Sequence, residues 1–187
     1  MKKQPAIALA IVAFCAAATA QPYGLVSAGA SRLSVDCEGV PFCDKTDVGS
    51  KVMAGYRFTP HWAAELGYFD FGKAKAGDGE ISATIGNTAV GLGMAFHQKL
   101  GTDWNLVARL GAARVKTKLS GSVAGLGSAS LTDRNTQAYA GLGVGYMLST
   151  STAVDLAWDY TRSQFRQDDL DESGSVHVIS VGLSFGF

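Results

Sequence analysis

The last twelve residues, Val176 to Phe187, constrain the fold more tightly than any other stretch. Ile179, Val181, Leu183, Phe185 and Phe187 occupy every second position, with Val178, Ser180, Gly182, Ser184 and Gly186 between them. Strand side chains alternate between faces, so one face is wholly apolar and the other is small and partly polar. An aromatic strand end left bare in water invites edge-to-edge aggregation. An apolar solvent removes that difficulty. If the solvent is lipid, the segment is the closing strand of an outer-membrane β-barrel.

The same alternation recurs seven times upstream, over about 23–33, 48–58, 62–71, 81–97, 104–119, 137–148 and 153–161. The breaks between runs alternate long and short. Long breaks fall at 34–47, 72–80, 120–130 and 167–174, and short ones at 59–61, 98–103 and 149–152. Transmembrane barrels show this pattern, with long loops outside the cell and short turns in the periplasm. The second face of each run decides between lipid and water. It carries glycines such as Gly91/Gly93 and Gly141/Gly143/Gly145, which are poor strand formers in water but fit the narrow lumen of a small barrel. Aromatics gather near strand ends, among them Trp62, Phe96 and Trp104 at one end and Tyr68, Tyr160 and Phe165 at the other. Girdles at two interfaces are a membrane feature. The expected fold is all-β, an eight-stranded antiparallel up-and-down transmembrane β-barrel.

The chain of 187 residues opens Met1-Lys2-Lys3, continues with an apolar run from Ala6 to Ala18, and reaches Ala18-Thr19-Ala20. A basic start, a short apolar run and a small-x-small site read as a secretory signal peptide over 1–20. The run falls short of the ~20 residues of a helical span. One barrel domain over 21–187 is expected to follow, in the outer membrane of a Gram-negative-type cell. Lys+Arg and Asp+Glu both number 16, so nothing in the charge supports a nucleic-acid partner. Cys37 and Cys43 flank Gly39 and Pro41, and in an exported protein such a pair reads as a disulfide closing one loop. Neither a cofactor nor a metal is expected, since no further thiol or imidazole ligands lie nearby.

Strand parity places Lys51, Arg57, Glu65, Arg109, Asp155 and Asp159 on the inward face, three of each sign. Charges in a narrow interior must pair or hold water. Pairing of Lys51 and Arg109 with Asp159 or Glu65 would act as a structural plug, or as a gate whose pairs exchange partners. Gly141-x-Gly143-x-Gly145 has the period of a strand and no helix to present amides to phosphate. His61 and His97 fall near periplasmic ends and read as solvated interfacial histidines. His177 and Ser180 lie three apart, on opposite strand faces, and cannot form a nucleophile–base pair on one side. The chain is therefore not expected to be an enzyme. The acidic run Asp168-Asp169-Leu170-Asp171-Glu172 reads as a solvated loop, with divalent cations beside lipopolysaccharide as the alternative.

Three stretches carry a family resemblance. Ala54 to Gly72 (AGYRFTPHWAAELGYFDFG) resembles the second hairpin of OmpA-like outer-membrane barrels, and Gly141 to Tyr160 resembles their strand–turn–strand unit. Ile179, Val181, Leu183, Phe185 and Phe187 resemble the terminal signal read by the barrel assembly machinery. The resemblance implies a monomer among outer-membrane lipid and lipopolysaccharide, with a structural, envelope-integrity role and weak ion passage. Long members continue into a peptidoglycan-binding domain, and no such domain is expected here. The alternatives are an adhesin or resistance protein acting through its outer loops, whose partner the residues leave unspecified, and, more remotely, a lipid-modifying enzyme.

Overall fold

Each run of alternation becomes a strand paired antiparallel to its neighbours in the chain. The computed structural model describes residues 21–34, 42–77, 81–123, 127–167 and 170–186. The expected leader, Cys37 and Phe187 lie outside the described residues. The strands are β1 (Gln21–Ser34), β2 (Phe42–Asp44), β3 (Thr46–Arg57), β4 (Trp62–Gly77), β5 (Ile81–Leu100), β6 (Trp104–Val123), β7 (Gly127–Met147), β8 (Thr152–Gln167) and β9 (Leu170–Gly186). β1 pairs with both β3 and β9, and β4 with both β3 and β5, which closes a ring of eight. Val26 thus lies opposite Val52 on one side and Leu183 on the other. Closure leaves every strand of the ring without a free edge, as a span in lipid requires.

Two of the short turns are built alike. Thr59 Oγ1 accepts from the N–H groups of His61 (3.3 Å) and Trp62 (2.9 Å). Ser149 Oγ accepts from Ser151 (3.3 Å) and Thr152 (3.1 Å). A hydroxyl at the first turn position thereby satisfies amides that the ladder cannot reach. These turns, the start of β1 and the end of β9 share the end that faces the periplasm in barrels of this kind.

The apolar face points outward. Val52, Leu66, Leu92, Leu110 and Val181 are each more than half exposed to the surroundings. Moving one such side chain from water into an apolar medium is worth about 1.5–3 kcal/mol, so a continuous band of them calls for lipid. Aromatic pairs bound the band: Trp62–Phe96 and Trp104–Tyr146 near the turns, Trp158–Tyr160 and Tyr160–His177 toward the other end. Ile179, Val181, Leu183 and Phe185 of the closing strand lie in the band, all exposed outward.

The outer connections differ from expectation. The breaks at 72–80, 120–130 and 167–174 are largely strand: β4 runs to Gly77, β6 to Val123, β7 starts at Gly127, and β8 and β9 reach Gln167 and Leu170. The first loop contains β2, which adds Phe42, Cys43 and Asp44 to Gly77, Ala76 and Lys75 of β4. Gly, Ser and Thr read as loop one residue at a time. Once two strands are in register, however, each further pair satisfies two backbones, and the ladder continues beyond the lipid.

One irregularity sets the faces of the outer half of β4. Phe71 and Gly72 together oppose the single residue Asn87, between the pairs Asp70↔Thr88 and Lys73↔Gly86. Gly72 has φ +73°, a left-handed geometry that suits glycine. Asp47 holds the bulge by accepting from Lys73 N–H (2.7 Å), and Asp70 accepts from Gly72 N–H (3.0 Å). The extra residue shifts the parity, so Ala74 is buried while Lys73 and Lys75 face out. Gly72→Ala is expected to cost about 1–3 kcal/mol, because the backbone is left-handed there and a Cβ would stand 2.8 Å from that of Asp47. Urea unfolding of the refolded barrel in lipid vesicles measures it.

Candidate functional site

The inward residues divide the lumen into three tiers. The outer tier is largely apolar, with buried Ser31, Asn87 and Thr161 set among its apolar side chains. Phe69 and Phe71 stack at 5.8 Å and 10°, and Tyr139 packs against Phe69 at 5.2 Å. Leu33, Val115, Val176 and Val178 complete this buried cluster.

The middle tier holds the charges. Lys51 of β3 forms an ion pair across the lumen with Asp159 of β8. Arg109 of β6 donates from Nε to both oxygens of Glu65 on β4, at 2.9 and 3.2 Å. All four side chains are almost fully buried. Tyr23 adds a second donor, its hydroxyl, which gives Glu65 Oε1 a further contact at 2.5 Å. Removing either member of such a pair leaves a buried charge uncompensated, which is far worse than lacking the pair altogether.

Space for these long side chains comes from the strand beside each. Glu65 pairs in register with Gly55 and Gly93, Asp159 with Gly141, and Asp155 with Gly145 and Gly182. A Cβ on Gly141 would stand 2.7 Å from Asp159 Oδ1, and one on Gly55 would stand 2.1 Å from the Tyr23 ring. The glycine-rich inner face is the complement of the charged one.

The inner tier is hollow. A cavity of about 580 Å³ lies between Tyr23, Arg57, His97, Asn105, Arg109 and Asp155, and it reaches the turn residues Pro60, Thr102 and Thr150. Arg57 Nε and Asp155 Oδ2 have no protein hydrogen-bond partner among the described residues. Both border a space wide enough for several waters. The Arg57 guanidinium lies over the Tyr23 ring, 5.1 Å from its centroid.

Of the six inward charges read from parity, five are buried and Arg57 is half-buried. Four meet in the two ion pairs, while Arg57 and Asp155 stand apart at the cavity. His97 departs from the sequence reading. It is 5 % exposed and faces the lumen, because its odd-numbered strand position shares parity with Ala95 and Gly93. Its Nε2 lies 3.2 Å from the Tyr23 hydroxyl, and its Nδ1 is 3.5 Å from Arg57 Nη2. Arg57 can only donate, which places the ring proton on Nε2. His61 is exposed at the turn, its Nδ1 3.0 Å from the His97 carbonyl. His177 faces outward against Trp158 and Tyr160, whereas Ser180 is buried inside. Sequence reasoning also missed Tyr23 and the aromatic plug. The signal present was parity: Tyr23, Phe69 and Tyr139 share the inner face of their strands with small or charged residues.

Cys43 lies in β2, and its expected partner Cys37 is outside the described residues. So are residues 168–169 of the acidic run. Among the described residues, no three His, Cys, Asp or Glu side chains gather closely enough to hold a metal ion.

Comparison with known proteins agrees with this architecture. Neisserial surface protein A superposes with a TM-score of 0.66 at 12% identity, over 91% of this chain and 100% of that one. A major outer membrane protein from Thermus thermophilus gives 0.59 at 15% identity, over 91% and 100%. Ail, the attachment invasion locus protein of Yersinia pestis, gives 0.55 at 20% identity, over 89% and 99%. No curated protein matches the chain in sequence. The family described as outer membrane protein beta-barrel domain matches residues 6–187. With its ring of eight strands and lipid-facing band, the chain belongs to that outer-membrane β-barrel family.

Proposed function

We propose that the chain is a structural component of the outer membrane, a monomeric, non-catalytic barrel that contributes to envelope integrity. The observation that carries this reading is the blocked lumen: the Phe69–Phe71–Tyr139 layer sits directly on two buried ion pairs. Ion passage is then weak, since both pairs and the aromatic layer must move before a path opens. Its partners on this reading are outer-membrane lipid and lipopolysaccharide, with the barrel assembly machinery engaging the closing strand during insertion.

A second reading, surface recognition, is favoured by strand length. β6 and β7 run for 20 and 21 residues, about twice the ~9–11 that a tilted span needs, so their outer halves project. The relative from Yersinia pestis is named for attachment and invasion. One experiment separates the two. A strain lacking the chain is expected to become sensitive to detergent. Resistance should return with a variant whose β6–β7 hairpin is cut back to the lipid band. Failure of that variant, with the full chain rescuing, would assign the role to the hairpins.

A further inference from the structure

The outer halves of β4, β6 and β7 carry cations on the face that looks away from the lumen. On β6 the outward positions run Leu106, Ala108, Leu110, Ala112, then Arg114, Lys116 and Lys118, all three exposed. The change from apolar to basic occurs in one step, at the level where Val90 and Arg114 are register partners. In the cross-strand row farther out, Thr88 separates Asp70 from Lys116, and Lys116 lies directly opposite Arg134 of β7. In the next row Gly86 stands between Lys73 and Lys118. Gly86 has no side chain to fill the gap, and Lys73 leans over it, its Cγ 3.5 Å from where a Cβ would be.

Like charges directly opposite on neighbouring strands repel. Among the described residues the salt bridges are the two inside the lumen, so none relieves this stripe. Asp47 lies beside Lys73 at the edge of the stripe and accepts the Lys73 backbone N–H (2.7 Å), and the other nearby acids are held by backbone or inner-face donors. Asp70 accepts from Gly72 N–H (3.0 Å) and Asp44 from Thr46 N–H (3.1 Å). Asp133 points to the inner side of β7, where Asn135 Nδ2 donates to it. Five cations on a convex sheet face, starting where the lipid band ends, need anions at headgroup depth.

We propose that Lys73, Arg114, Lys116, Lys118 and Arg134 form a binding site for the phosphate groups of the outer-leaflet glycolipid. One phosphate lies over Gly86 and Thr88, between Lys73, Lys116 and Lys118, and a second lies between Lys116 and Arg134. The height of the stripe decides the occupant. A soluble polyanion would be met at the hairpin tips, whereas these cations begin with Arg114 in the same cross-strand row as Tyr68 and Val90 of the lipid-facing band. The site rests on the outer-leaflet partner of the reading above but not on the envelope-integrity role, which the strain test decides separately.

Binding of bisphosphorylated lipid A to the refolded barrel in uncharged detergent tests the site, read by the shift in thermal unfolding. Each cation removed is expected to weaken binding about fivefold. The variant Arg114→Gln/Lys116→Gln/Lys118→Gln/Arg134→Gln should therefore lose most of the shift while keeping its heat-modifiable gel mobility. A second arm needs no variant: fully dephosphorylated lipid A should shift the wild-type barrel no more than a neutral phospholipid does. Equal shifts with and without the phosphates would overturn the proposal. So would heparin binding to the wild type in preference to the phosphorylated lipid, which would make the stripe a glycan site.

Discussion

Replacing Arg109 by Gln is expected to destabilise the folded barrel by about 3–5 kcal/mol. The mutation strands Glu65 in a site where it is 3 % exposed. The Tyr23 hydroxyl alone then remains to satisfy a carboxylate that had three N–H or O–H contacts. Urea unfolding in lipid vesicles, followed by the fluorescence of Trp62, Trp104 and Trp158, measures the loss. Adding Glu65→Gln to the same chain should recover most of it, because two neutral amides can bond to each other and no charge is left buried. Recovery separates a lost ion pair from a general packing defect. A double variant as unstable as Arg109→Gln alone would show that the guanidinium acts through packing instead.

The second large effect concerns the outer tier. Phe69 is 2 % exposed and Phe71 4 %, and truncating a buried Phe to Ala costs about 3–5 kcal/mol. Because the two rings stack on each other, the double substitution should cost less than the sum of the singles. Its functional consequence is the sharper one. The wild-type barrel in a planar bilayer is expected to show no stable conductance steps, and Phe69→Ala/Phe71→Ala should show discrete openings as water reaches the ion pairs from outside. A folded double variant that stays silent would place the barrier at Lys51–Asp159 and Arg109–Glu65 alone.

The number of strands in the ring, their faces and their antiparallel order were legible because a period of two runs through the lipid-spanning part of each strand from Tyr23 to Phe185. Parity alone separates Lys51, Glu65, Arg109 and Asp159 from the lipid face. It does not say which base meets which acid across the lumen. That depends on the stagger of the whole ring, to which every register contributes. Parity also fails beyond Asp70, where one extra residue at Gly72 turns Lys73 and Lys75 outward. The outer breaks read as loops for a related reason: runs such as 120–130 are dominated by Gly, Ser and Ala, and the ladder over 120–123 and 127–130 forms because the partner strand is already held. His97 reads as interfacial from its position near a turn, although its parity matches the buried side. The basic stripe on β6 was in plain view as Arg114-x-Lys116-x-Lys118. Only the register shows that Arg134 and Lys73 stand beside it.

The lumen is solid in its outer half and hollow in its inner half, which makes the barrel a cup and not a tube. The mouth of the cup lies among Pro60, Thr102 and Thr150, so the groups at its floor share water with the periplasm alone. His97, Arg57 and Asp155 therefore share water and small ions with that side of the barrel, while a change in the external medium stops at the Phe69–Phe71 layer. A protein embedded in the outermost surface of the cell thus keeps this ionisable interior space in contact with the compartment behind it.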